Sequence, residues 1–251
     1  MIRVNSLSVG SRLLPLSLDV DKGQTLHVIG PNGSGKSTFL SAIAGLLDCT
    51  GEVYYGDLSV KESSVALLAS YRAFLSQSDR PAFNLMVAQY LALSVPNSAQ
   101  HDSRTVDEVV VELATLLELQ DKLHRPIHHL SGGEWQRVRL CAICLQVWPS
   151  LNPHAQLLIL DEPAAPLDIG QESLLYRLIK KVSDMGITVV MSNHDLNRTL
   201  SYADKVLLLN KGVVQQYGPA DEVLSEKQLS SVFNTEVIKA TVNDKPVLIF
   251  N

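Results

Sequence analysis

The chain has 251 residues, 46% of them hydrophobic and 19% charged, with a net charge of −5. That length holds one large domain or two small ones. The acidic balance argues against nucleic acid as the main partner, because chains that bind it carry a basic stripe. No apolar run reaches the ~18 residues that a membrane-spanning helix needs. The N-terminal "MIRVNSLSVGSRLLPLSLDV" lacks the basic-then-apolar layout of a signal peptide, which points to a cytosolic chain.

In chain order, "GQTLHVIGPNGSGKSTFLSAIAGLL" reads as strand, loop and helix. An apolar run from Leu26 to Ile29 lies between Gly23 and Gly30, and Lys36 to Leu47 carries apolar residues at helical period, ended by Asp48 and Gly51. "GEVYYGDLSV" predicts a strand and turn, and "RAFLSQ" another short strand. From Ser78 to His129 the pattern turns helical, with a polar break at "VPNSAQHDSRT" and a stripe of Val106, Val109, Val110, Leu113 and Leu117. A helix over Glu134 to Val147 follows, then the loop "PSLNPHA" and the wholly apolar strand "QLLILDEP". Next come helix "QESLLYRLIKKVSDMG", closed by Gly186, strand "ITVVMSNHD" and a further helix. A hairpin around Asn210-Lys211-Gly212 and two strands around Asn243-Asp244 complete the chain. Alternating strands and helices predict an α/β fold with a mostly parallel sheet covered on both faces. The helical block, residues 78–155, reads as a subdomain inserted into a core of 1–77 and 156–251.

Gly30 to Ser37, "GPNGSGKS", fits G-x-x-x-x-G-K-[ST] between an apolar strand and a helix. Such a loop lets the backbone N–H groups of Asn32, Gly33, Ser34 and Gly35 wrap a phosphate chain at a helix N-terminus. Lys36 then reaches the β- and γ-phosphates, Ser37 holds Mg²⁺, and Thr38 lies near a phosphate. In "LLILDEP" the apolar strand carries Asp161 to the carboxyl edge of the sheet, where ligands bind in such folds. There Asp161 can hold the Mg²⁺, and Glu162, pointing the other way along the extended chain, can polarise an attacking water.

The stretch "HLSGGEWQRVRL" places two glycines where they lower backbone order. It resembles the signature motif of the ATP-binding subunits of ABC transporters, and the resemblance covers nearly the whole chain in the family's motif order. The P-loop is Gly30–Ser37, the Q-loop glutamine is Gln77 in "FLSQ", and the signature is Leu130–Gln136. Asp161 and Glu162 are the Walker B acids, the D-loop "APLD" ends at Asp168, and the switch histidine is His194 in "SNHD". The resemblance implies a P-loop NTPase fold with an antiparallel β subdomain beside the parallel core. It also implies ATP and Mg²⁺ as ligands. Two copies pair head to tail, so that Ser131, Gly132 and Gly133 of one cover the γ-phosphate held by the other, and the helix starting near Glu134 points its dipole at that anion. Gln77 senses Mg²⁺, and His194 contacts the γ-phosphate.

The family pattern further implies two copies of a transmembrane permease, which hold the ATPase dimer at the cytoplasmic face of the inner membrane. A permease helix would enter a cleft for which Phe83, Leu85, Met86 and Tyr90 are candidates; the alternative is that these four are subdomain core. Trp135 and the long segment "CAICLQVWPSLNPHAQ" are similar to the cobalamin (vitamin B12) importer branch, which adds a periplasmic cobalamin-binding protein as an indirect partner. Iron–siderophore and haem importers share the layout and stay as the alternative. The aromatic residue that commonly stacks on adenine is missing from "SLSVGSRLLPL", where Arg12 can stack instead. Cys141 and Cys144, in C-x-x-C, read as packing residues on one helix face. His27 reads as packed in its strand, and His124, His128, His129 and His154 as residues without a site role.

Overall fold

The structure, a computed structural model, describes residues 1–76 and 80–251. The chain begins with β1 (Ile2–Val9) and β2 (Leu13–Val20), an antiparallel pair in which Ile2 faces Val20 and Val9 faces Leu13. β3 (Thr25–Ile29) is buried along its whole length and leads into α1 (Lys36–Ile43). Then come β4 (Thr50–Tyr55), the short β5 (Leu58–Ser59), α2 (Val65–Tyr71) and β6 (Arg72–Leu75). β4 pairs with β1, giving an antiparallel sheet of order β2-β1-β4-β5. The N-terminal strands and α2 lie in stretches where no motif or long period flags an element.

The helical stretch holds α3 (Val87–Ala92), α4 (Ser103–Leu116) and α5 (Gly132–Val147). Of the α4 stripe, Val109, Leu113 and Leu117 are buried. α5 starts two residues before the predicted Glu134. Ser131 caps it by accepting the Glu134 N–H at 3.1 Å, while the Glu134 carboxylate accepts the Ser131 N–H at 2.8 Å. This reciprocal box outweighs the poor helix propensity of Gly132 and Gly133. The segment after α5 is packed rather than loose. Trp148 and Leu151 are buried, and the Asn152 amide donates to the carbonyls of Ser70 at 2.9 Å and Gln146 at 2.8 Å.

The remaining elements are β7 (Leu157–Leu160), α6 (Ile169–Asp184), β8 (Thr188–Ser192), α7 (Leu196–Tyr202), β9 (Lys205–Asn210), β10 (Val213–Pro219), α8 (Ala220–Val223), α9 (Glu226–Phe233), β11 (Val237–Val242) and β12 (Lys245–Phe250). The central sheet has the order β10-β9-β3-β8-β7-β6. Its members are parallel except for β10, which closes a hairpin with β9. Lys211 (φ +51) and Gly212 (φ +76) make that turn, and Asn243 (φ +49) and Asp244 (φ +59) make the one between β11 and β12. Two successive residues with positive φ match the twist of a tight hairpin.

Strand period decides where the core lies. Leu157 and Ile159 pack toward α1 and the antiparallel sheet, whereas Leu158 and Leu160 pack toward α3–α6. Ile29, Val206 and Leu208 meet a third apolar group from α7–α9 and the β11–β12 pair. With both faces covered, open polar space is left at the carboxyl ends of β3, β7 and β8.

Candidate functional site

At the end of β3 the chain turns through Gly30, whose φ is +147. A β-carbon there would run into the Leu209 carbonyl oxygen, so only glycine lets the loop leave the strand at this angle. The loop is braced from behind, where the Gly212 N–H donates to the Ser34 carbonyl at 3.0 Å. Inside it the Lys36 ammonium donates to the carbonyls of Gly30 at 2.9 Å and Pro31 at 3.2 Å. Burial pushes the Lys36 pKa down, while Glu162 and then Asp161 pull it back up. The Ser34 hydroxyl is buried with no protein partner. A buried polar atom without a partner is unfavourable, and this one lies in a loop whose shape suits a phosphate chain. Loop and helix start line a cleft of about 940 Å³ with Asn32, Gly33, Ser34, Gly35, Lys36, Ser37 and Thr38.

The opposite wall comes from β7 and β8. Glu162 and His194 line the same cleft, and His194 Nε2 lies 2.6 Å from Glu162 Oε1. The carboxylate accepts here, so His194 donates from Nε2. Glu162 has a φ of +48, a conformation that ordinary side chains rarely adopt. Its amide is held in place by Ser192, whose hydroxyl accepts the Glu162 N–H at 2.7 Å and donates to Asp161 Oδ1 at 2.7 Å. Asp161 is buried behind the wall rather than on it. Sequence reasoning passed over Ser192 and its neighbour Asn193; the polar run "SNHD" at the end of an apolar strand is the signal that could have found them.

The signature residues stand apart. Ser131, Gly132 and Gly133 do not line the cleft, and neither does Asp168, which caps α6 by accepting the Gln171 N–H at 2.8 Å. An added β-carbon meets nothing within 4 Å at Gly132, whereas at Gly133 it would strike the Gln171 side chain. Neither glycine has a positive φ, so neither is there for its backbone freedom within this chain. Arg80, unflagged by sequence, grips the signature loop from below. Its guanidinium donates to the carbonyls of His128 (3.2 Å), Leu130 (2.6 Å) and Ser131 (3.2 Å) and lies 5.9 Å from the Trp135 ring. Gln136 donates to the Pro163 carbonyl at 2.8 Å, tying this helix to the residue after Glu162. Gln77 lies outside the described residues.

Arg12 sits at the rim of the cleft with Ser11 and Lys211. The four apolar candidates for a docking cleft divide. Phe83 (74%) and Met86 (42%) are exposed, whereas Leu85 packs on the core and Tyr90 lies against Trp135 with ring centroids 4.9 Å apart. Cys141 and Cys144 are buried in α5, and burial pushes both thiols up, Cys141 to about 12. His154 stacks on Tyr71. Among the described residues no helix is long and apolar enough to cross a membrane.

The comparisons with known proteins agree with this geometry. A family model described as "ABC transporter" matches residues 13–165. The chain is similar over its full length to the Vitamin B12 import ATP-binding protein BtuD of Vibrio atlanticus (strain LGP32), at 56% identity over 255 residues covering 100% of each chain. The protein of the same name from Vibrio cholerae serotype O1 (strain ATCC 39541) is also 56% identical, over 251 residues and 100% of each chain. Among solved structures, the ATP-binding cassette MJ1267 in its ADP conformation superposes with a TM-score of 0.75 at 23% identity, covering 93% of this chain and 98% of that one. The fold, the order of the motifs and these full-length matches agree: the chain belongs to the ABC transporter family and is an ATPase of that family.

Proposed function

We propose that the chain is the ATP-hydrolysing subunit of a vitamin B12 importer, acting as a dimer on a transmembrane permease. The observation that carries the chemistry is the convergence of the P-loop, Glu162 and His194 on one cleft, with the histidine 2.6 Å from the carboxylate. The cargo is supported by the printed names of the full-length Vibrio relatives.

In this reading the backbone of Asn32 to Gly35 and the Lys36 ammonium hold the phosphate chain, with the α1 N-terminus behind them. Thr38 adds a hydroxyl. Glu162 takes the role of general base toward the water, and His194 holds that carboxylate and the terminal phosphate in register. Ser37, Asp161 and Gln77 would hold Mg²⁺, which supplies charge neutralisation to the phosphates when bound. A hydroxyl and a carboxylate suit a hard divalent cation. Arg12 offers a guanidinium plane to the base.

Ser131, Gly132 and Gly133 act on the nucleotide of a second copy, with Asp168 at the junction. Support comes from their position outside the cleft and from the open space at Gly132. Residues 78–155 form the arm that carries them, and 1–77 with 156–251 form the nucleotide-binding core. Phe83 and Met86, exposed beside α3, are the apolar contacts for a permease helix, which would hold the dimer at the cytoplasmic face of the membrane.

The test is uptake of labelled cobalamin by cells lacking their own importer ATPase, supplied with this chain and the cognate permease. Uptake that disappears with Glu162→Gln supports both cargo and base. No uptake from a chain that hydrolyses ATP would move the cargo to an iron–siderophore or haem.

A further inference from the structure

The end of β8 sends three consecutive polar side chains to two places. Ser192 and His194 serve the cleft side, reaching Asp161 and Glu162. Asn193, between them, points away from it and is buried. Alternation along an extended chain requires this, but the partners of Asn193 are specific. Its backbone N–H donates to the Val28 carbonyl of β3 at 3.2 Å. Its Oδ1 accepts the Asp195 N–H at 3.1 Å, which fixes the orientation of the amide. Both amide hydrogens are then used, one on the Tyr176 hydroxyl of α6 at 2.9 Å and one on Thr199 Oγ1 of α7 at 3.2 Å.

The surroundings make this arrangement rigid. Thr199 Oγ1 donates its hydrogen to the Asp195 carbonyl at 2.9 Å. His27 Nδ1, 3.1 Å from the same oxygen, therefore acts as a donor, which leaves Nε2 as the unpartnered lone pair. The Tyr176 ring stacks on Tyr202 at 4.2 Å, and the Arg198 guanidinium lies 5.7 Å from its centroid. Arg198 is in turn paired with Glu172 at 3.1 Å. The loop carrying His194 thus hangs between β3 and a tyrosine packed against Tyr202 and Arg198.

We propose that Tyr176 and Asn193 are positioning residues for ATP hydrolysis, holding the backbone on both sides of His194 so that the imidazole meets Glu162. Neither touches the nucleotide cleft. The inference rests on the reading of His194 as a catalytic residue and extends it to the opposite face of the sheet.

The experiment measures ATP hydrolysis by the full-length chain carrying Tyr176→Phe, His194→Ala or both. Tyr176→Phe keeps the ring stack and removes only the oxygen that Asn193 reaches. The expected result is a kcat lowered roughly fivefold, the size of one lost buried hydrogen bond, with KM for ATP unchanged within about twofold. Added to His194→Ala, the same change should have no further effect, because groups that act through one another are not additive. Tyr202→Phe, which trims a hydroxyl from the other ring of the stack, should leave kcat unchanged. An unaltered kcat in Tyr176→Phe overturns the inference, as does a loss that multiplies onto that of His194→Ala. Full activity in His194→Ala overturns the reading of His194 itself, so the two failures are told apart.

Discussion

The two glycine-rich stretches are built by opposite means. The P-loop is enclosed: strand β3 feeds it, the β9–β10 turn braces it, and its lysine is tied to its own carbonyls. The signature loop is presented. It caps its own helix, Arg80 grips its carbonyls from beneath, and its first glycine faces open space. One stretch makes a pocket inside a single chain, and the other presents its backbone outside that pocket. Preorganisation is common to both, but in the P-loop it comes from neighbouring strands and in the signature from local capping.

That contrast can be broken most severely at Glu162. Glu162→Gln should lower hydrolysis by about 10²- to 10⁴-fold, the usual worth of a general base, with nucleotide binding retained; ATPase and equilibrium binding assays on one preparation check both. Next, Ser131→Arg should reduce hydrolysis at least ~100-fold through bulk and charge on the presented surface, yet leave ATP binding by the isolated chain intact. Parallel loss of binding would make the signature part of its own chain's pocket. Gly132→Ala sharpens the point. The folded chain has room for the methyl group, and alanine favours a helix by up to ~1 kcal/mol over glycine, so melting temperature should hold or rise while hydrolysis falls. A fall in both would mean the glycine serves the fold.

The smallest expected effect lies in the enclosed half. Burial pushes the His27 pKa down to about 3, against ~6.5 in the unfolded chain. Between those values the unfolded chain binds a proton that the folded chain does not, so stability rises with pH. The penalty is absent above ~6.5, grows by ~1.4 kcal/mol per pH unit below it, and levels off beneath about 3. From pH 7 to pH 5 this residue should remove roughly 2 kcal/mol. Urea midpoints across that range check it, and His27→Gln should give a flatter profile.

Legibility in the sequence followed the same division. Fixed spacing around Lys36 and an apolar run before Asp161 announce the enclosed half, because strand, loop and helix start must follow in order. Both hairpin turns were legible for a similar reason, since Asn-Lys-Gly and Asn-Asp suit positive φ. The start of α5 was misplaced because the glycines mask a Ser-x-x-Glu box that was present in the letters. Tyr90 and Phe83 went to different fates because helical period alone does not say which apolar residue faces inward. Asn193 and Tyr176 meet across seventeen positions, and Arg80 meets Ser131 across fifty-one. No local pattern records such pairings; the fold makes them.

A hydroxyl has one hydrogen, and in Ser192 it is committed to Asp161 while the lone pairs receive the Glu162 amide. One carboxylate and the backbone amide of the residue after it therefore meet at a single oxygen on another strand. One rotation about the Cα–Cβ bond of Ser192 would break both of these bonds at once. Ser192 works as a caliper, setting the Asp161 carboxylate against the backbone amide of Glu162. Threonine would preserve that setting, and alanine would remove both bonds while leaving the Glu162 carboxylate on His194.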